Sequence, residues 1–200
     1  MKVMSDPSSK GGSDRSAKVS DNLLGVVLCG GESRRMGRDK GLIQNTHRPW
    51  ALLMGDKLLA HHLPIVYSIN QRQTDSYAAL ISPDQLIVDA AEWSGPLNGL
   101  LSVHRRFPAN DLLLLACDMP DLDAATIDRL IDTYASEQAD FFLYEEAGVL
   151  QPFCGIYTGD ALARAADRQQ DGSLQRLFRD GLVRRLPVTD PQAFRNYNTL

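Results

Sequence analysis

Two hundred residues, 44% hydrophobic and 23% charged, suit one globular domain with ample material for an apolar core. The formal net charge is −4, from 21 Lys and Arg against 25 Asp and Glu, so no global field draws the chain onto nucleic acid or an anionic membrane. No apolar run approaches the roughly 18 residues a spanning helix needs. Cys29, Cys117 and Cys154 show no metal-ligand spacing and read as reduced, buried thiols of a cytoplasmic protein.

Residues 1–22, MKVMSDPSSKGGSDRSAKVSDN, are rich in Ser, Gly, Lys and Asp and lack a hydrophobic segment. They read as a disordered leader rather than a secretory signal, leaving one domain over residues 23–200. LLGVVLC (23–29) is a continuous apolar run of strand length, the pattern of a strand buried on both faces. LPIVYSIN (63–70), QLIVD (85–89) and LLLLACD (112–118) repeat it. Between the last two, Ser94 as N-cap, Pro96 in the first turn and a face of Leu97, Leu100, Leu101 and His104 predict a helix. A second helix follows Asp118, with Asp123 as N-cap and a stripe of Ile127, Leu130, Ile131 and Tyr134. FFLYEE, GVL and QPFCGIYT are closely spaced strands with Gly148 in the first turn. GDALARAADRQ and SLQRLFRDG predict helices, the second opened by Ser173 and closed by Gly181, before a final strand VRRLPV. Strands alternating with helices imply a doubly wound, mostly parallel α/β sheet, with a small antiparallel addition in the last third.

In such a sheet, ligands sit beyond the carboxyl ends of the strands. Gly30 and Gly31 follow the first strand at that place, and Arg34, Arg35, Arg38 and Lys40 follow within seven positions. Glycines there let backbone N–H groups approach an anion, and the cations suit a polyphosphate. The spacing is neither a Walker A loop nor a GxGxxG fingerprint. Asp118 and Asp89 each close a strand at the same mouth, and a hard carboxylate oxygen there can hold Mg²⁺. With Asp123 the better helix cap, Asp118 has no structural employment. The histidines His47, His61, His62 and His104 form no metal pattern and suit surface or packing roles.

LCGGESRRMGRDKGLI, with SGPLNGLLSVH, LLLLACDMP, QPFCGIYT and NYNTL, resembles the molybdenum cofactor guanylyltransferases of the nucleotidyltransferase superfamily. The resemblance spans nearly everything after the leader and implies a Rossmann-like fold of the nucleotide-diphospho-sugar transferase type. It implies transfer of GMP from GTP to the terminal phosphate of molybdopterin or the molybdenum cofactor, with release of pyrophosphate and Mg²⁺ as the metal. Leu28, Cys29, Gly30 and Gly31 would lie along the nucleotide, with Ser68 or Asn70 and Asp89 near the nucleoside. Lys40 and Arg35 would neutralise phosphate charge, and Asp118 would hold the metal. Asn196 and Asn198 match the closing motif, on the pterin side. Molybdenum-insertion proteins and molybdoenzymes are the partners implied, with neither nucleic acid nor membrane.

Three departures stand out: Cys29 replaces the commoner alanine, the segment between Lys40 and Pro64 is longer than usual, and the chain stops at NYNTL where relatives continue into a short helix. Two rival readings remain. A cytidylyltransferase, or another enzyme acting on a small phosphorylated acceptor, shares the opening motif, although the Gly-Gly pair favours guanine. A non-catalytic nucleotide-binding or cofactor-delivery module could dispense with Lys40 or Asp118, and both are present.

Overall fold

The computed structural model describes residues 22–30, 39–44, 48–90, 95–167 and 174–197. Ser94, Ser173, His47, Gly31 and the arginines 34, 35 and 38 lie outside these residues. β1 (Leu23–Leu28) and β4 (Asp111–Ala116) form the centre of a seven-stranded sheet. β2 (Ile65–Ile69) and β3 (Leu86–Val88) extend it on one side. On the other lie β6 (Val149–Tyr157), β5 (Phe141–Glu146) and β7 (Val183–Pro187), giving the order β3-β2-β1-β4-β6-β5-β7. Only β6 runs against its neighbours; the remaining pairings are parallel.

The central runs are apolar because both sheet faces are covered. Along β1, Leu23 and Val27 join the core on one face, while Leu24, Val26 and Leu28 join the core on the other. β4 divides likewise, with Leu113 and Leu115 on the first face and Leu112 and Leu114 on the second, all at 0% exposure. Burying each such leucine contributes about 2 kcal/mol. The first face is covered by α1 (Trp50–Ala60), α2 (Thr74–Ala78) and α4 (Ala124–Ser136), through Met54, Leu58, Tyr77, Ile127 and Leu130. The second is covered by α3 (Pro96–Arg106), α5 (Gly159–Asp167) and α6 (Leu174–Arg179). The mostly parallel α/β sheet expected from the sequence is thus observed.

Several local expectations are corrected. GVL and QPFCGIYT are a single strand, β6, which follows a two-residue turn with φ of 48° at Ala147 and 81° at Gly148. The β5–β6 register slips between Leu143 and Tyr144, which leaves Pro152 outside the ladder it could not complete. Gly95, at φ 70°, occupies the N-cap position of α3, with no side-chain cap. α6 ends at Arg179, which puts Gly181 two residues past its last turn, in keeping with a closing glycine. α1 lies in the segment that reads as a long connection in the sequence. Asp123 caps α4 as expected, accepting from Thr126 N at 2.7 Å.

His61 pairs with Asp128 at 3.1 Å, and His104 is buried on α3, in keeping with packing roles.

Candidate active site

Order 3-2-1-4 puts the topological switch between β1 and β4, and the chain beyond both strand ends is laced together there. Cys117 N donates to Leu28 O at 3.1 Å, while Cys29 N and Gly30 N both donate to Ser68 O, at 2.9 and 3.0 Å. Cys29 O accepts from Gln73 Nε2 at 3.0 Å. The backbone of Leu28 and Cys29 is therefore committed to the protein, and a ligand there meets second carbonyl lone pairs and Cα surface. The Cys29 thiol is buried; desolvation, with the neighbouring Cys117 thiol adding to it, pushes its pKa well up. That environment suits packing, not nucleophilic attack.

Ser68, fully buried at the end of β2, donates its hydroxyl to Asp89 Oδ1 at 2.6 Å. Burial raises the Asp89 carboxyl above its ordinary value, and the serine hydrogen bond partly opposes the shift. Two glycines make room for this pair. A Cβ on Gly30 would run into Asp89 Oδ2, and one on Gly99 would lie 2.6 Å from Ser68 Oγ. Asn70 is spent locally, its side-chain oxygen accepting from Arg72 N at 2.9 Å in a reciprocal capping box with Gln73. Its amide nitrogen is the part it can present to a ligand.

Lys40 reaches the site from a short 3₁₀ turn, Lys40–Leu42. Asp39 caps that turn, accepting from Gly41 N at 3.0 Å and Tyr77 Oη at 3.1 Å on Oδ1, and from Gln73 Nε2 at 2.6 Å on Oδ2. From this base the Lys40 ammonium lies 2.9 Å from Asp118 Oδ2, with both side chains about four-fifths buried at 21% and 17% exposure. The segment after Asp118 is pinned from below, because Lys57 of α1 donates to Pro120 O at 2.6 Å and also to Leu122 O. Tyr197 closes over the same corner. Tyr197 N donates to Asp118 O at 3.1 Å, its hydroxyl to Asp121 Oδ2 at 2.6 Å, and its ring lies 5.6 Å from that of Trp50. Asn196 is exposed beside it, and Asn198 lies outside the described residues.

Lys40, Asp118, Gly30, Asp89, Ser68 and Asn70 are thus all at the carboxyl ends of β1 to β4 or on the turn above them. Among the described residues no group of three or more His, Cys, Asp or Glu side chains is arranged to hold a metal. A magnesium ion carried on a triphosphate needs no such cage; one carboxylate, phosphate oxygens and water suffice, and Asp118 fits that donor set.

Sequence reasoning missed Asp39, Gln73, Tyr77, Lys57 and Gly99. Asn70-x-x-Gln73 carries the N-cap signature that points to Gln73, whereas Lys57 gives no local sign of its role.

A family described as the MobA-like NTP transferase domain matches residues 25–187. The chain is 32% identical over 152 residues to the molybdenum cofactor biosynthesis bifunctional protein of Synechocystis sp., covering 75% of this chain but only 43% of that longer protein. It is 30% identical over 183 residues to the "Probable molybdenum cofactor guanylyltransferase" of Trichormus variabilis, covering 90% of this chain and 87% of that one. The crystal structure of molybdopterin-guanine dinucleotide biosynthesis protein A from Archaeoglobus fulgidus superposes with a TM-score of 0.70 at 19% identity, over 88% of this chain and 92% of that one, and so shares the fold. By the extent of the family match, the chain is a nucleotidyltransferase and belongs to the MobA-like NTP transferase domain family.

Proposed function

We propose that the protein transfers GMP from GTP to the terminal phosphate of molybdopterin or its molybdenum complex. A phosphate oxygen of the acceptor attacks the α-phosphorus of GTP, a new P–O–P linkage forms, and the bond to pyrophosphate breaks. The observation that carries this reading is the Lys40–Asp118 pair, 2.9 Å apart at the switch between β1 and β4. Phosphoryl chemistry asks the protein for alignment and charge neutralisation more than for covalent help, and a cation beside a metal-competent carboxylate supplies both.

Asp118 is the residue to hold Mg²⁺, which when bound would screen phosphate charge. Lys40 then offers its ammonium to the polyphosphate, joined by Arg35 from outside the described residues. The Gly30 turn lies along the nucleotide, and Asp89, set by Ser68, faces the nucleoside with the Asn70 amide. The guanine specificity and the acceptor are supported by the names of the relatives. Asn196, whose neighbour Tyr197 bonds to Asp118 O, would face the pterin side of the acceptor.

The test is pyrophosphate release from purified protein with Mg²⁺, molybdopterin or its molybdenum complex, and GTP, CTP or ATP in separate reactions. Release with GTP alone supports the proposal. Release mainly with CTP retains the site and overturns the base. GTP binding without release in any reaction leaves the delivery module as the better description.

A further inference from the structure

Gln73 is 9% exposed, and its side-chain amide is fully used. Nε2 has two hydrogens; one goes to Cys29 O at 3.0 Å and the other to Asp39 Oδ2 at 2.6 Å. Oε1 accepts from Asn70 N at 2.8 Å. One buried amide therefore joins the chain after β1, the cap of the Lys40 turn and the chain after β2. Backbone bonds from Cys29 N and Gly30 N to Ser68 O already tie the first segment to the third. Among the described residues no backbone bond ties the Asp39 turn to either, so its placement against them depends on side chains. A carboxylate acceptor such as Asp39, here half-buried, makes a stronger hydrogen bond than a neutral one does. Its second oxygen holds Gly41 N and the Tyr77 hydroxyl, so the residues on both sides of Lys40 are fixed to the same carboxylate.

We propose that Gln73 is a positioning residue: it holds the Lys40 turn against the Gly30 turn and acts on turnover through Lys40. The proposal rests on the reading that Lys40 and Asp118 are the reaction centre. Gln73 touches no substrate. A displacement of about 1 Å in the Lys40 ammonium costs turnover steeply, because the gain from alignment lies in the last fraction of an ångström.

The experiment compares the whole protein, Gln73→Met, Lys40→Ala and the double variant by pyrophosphate release from Mg²⁺–GTP with molybdopterin or its molybdenum complex as acceptor, with thermal melts confirming that each is folded. Gln73→Met keeps the length and loses all three bonds. It is expected to lower kcat about 30-fold while KM for GTP stays within about threefold. On the Lys40→Ala background, the same change should cost less than about twofold, since residues acting through one another are not additive. Losses that multiply, or a Gln73→Met kcat within about twofold of the parent, overturn the proposal.

Should Gln73→Met fail to fold, Gln73→Glu is read in the same way, because it keeps the acceptor for Asn70 N and loses both donors. If the parent protein releases no pyrophosphate with any nucleotide, the nucleotidyl-transfer reading of the site fails separately, and the position of Lys40 is tested by reductive methylation. With Lys57 as internal standard, Lys40 should be modified about fivefold faster in Gln73→Met, because an ammonium leaving its carboxylate partner is more accessible. An unchanged ratio overturns the proposal.

Discussion

Asp89 and Asp118 follow two strands of one sheet, β3 and β4, with β2 and β1 between them, and have opposite surroundings. At the end of β4, Asp118 faces an ammonium at 2.9 Å, the arrangement of a site built to hold charge. Beyond β3, Asp89 has a serine hydroxyl at 2.6 Å and an environment that raises its pKa through desolvation. The same side chain is a charge anchor in one place and a shaped hydrogen-bonding group in the other. The comparison teaches that the topology sets where the carboxylates stand, and that the neighbours decide what each can do.

The largest break in this comparison should come from the Asp118 end. Asp118→Ala is expected to lower kcat for pyrophosphate release by about a thousandfold or more, while circular dichroism shows an intact fold. Lys40→Ala should follow with a loss of about a hundredfold in kcat and weaker GTP binding by calorimetry. Normal turnover in either variant removes that residue from the reaction centre.

At the other end, Gly99→Ala would place a Cβ 2.5 Å from Leu28 Cδ1 and 2.6 Å from Ser68 Oγ. Overpacking of this kind costs about 1–3 kcal/mol of stability, read in urea melts, and should reduce GTP affinity as Ser68 and Asp89 are displaced.

Asp89→Asn sharpens the contrast by separating stability from binding. A carboxyl whose folded pKa is raised lends stability at low pH and loses it as pH rises through that value, because the folded state then binds more protons than the unfolded chain. The amide variant should therefore melt higher than the parent at pH 7, by about 2 °C, with the gap closing as the pH falls toward the acidic range. Its GTP affinity should drop about tenfold. A melting gap that is flat with pH would mean that desolvation does not set Asp89 apart. Tyr197→Phe should have the smallest effect, below about 1 kcal/mol, because it removes one exposed hydrogen bond to Asp121 and leaves the backbone bond to Asp118 in place.

The central strands were legible in the sequence because burial on both faces writes itself as an unbroken apolar run, as in LLGVVL and LLLLA. The mouth of the site was legible for a related reason, since Asp89 and Asp118 each interrupt such a run where a strand must end. α1 was not. Its sequence WALLMGDKLLA is apolar around much of the helix, with Leu59 51% exposed, so no clear stripe appears. Gly55 in its middle reads as a breaker, yet a Cβ there would lie 2.0 Å from Tyr67 Oη. Lys57 was hidden because its partners, Pro120 O and Leu122 O, are backbone atoms more than 60 residues away. The framework of Gln73 and Asp39 was half-visible: the capping spacing is local, but the bonds to Cys29 and Asp39 span 44 and 34 residues.

The Lys40–Asp118 pair also says something about the time course of folding. Its partners are separated by 78 residues, and the strands that carry them pair across a similar stretch, Leu23 with Asp111. The β5–β6 hairpin, closed by a turn at residues 147–148, joins strands adjacent in sequence, a contact of the kind made on a microsecond timescale. Closing the long loop between β1 and β4 carries a larger entropic cost and comes late. Refolding followed by tryptophan fluorescence and by recovered turnover should therefore show the Lys40–Asp118 corner among the last regions to be assembled, so that turnover returns only once most of the sheet is in place.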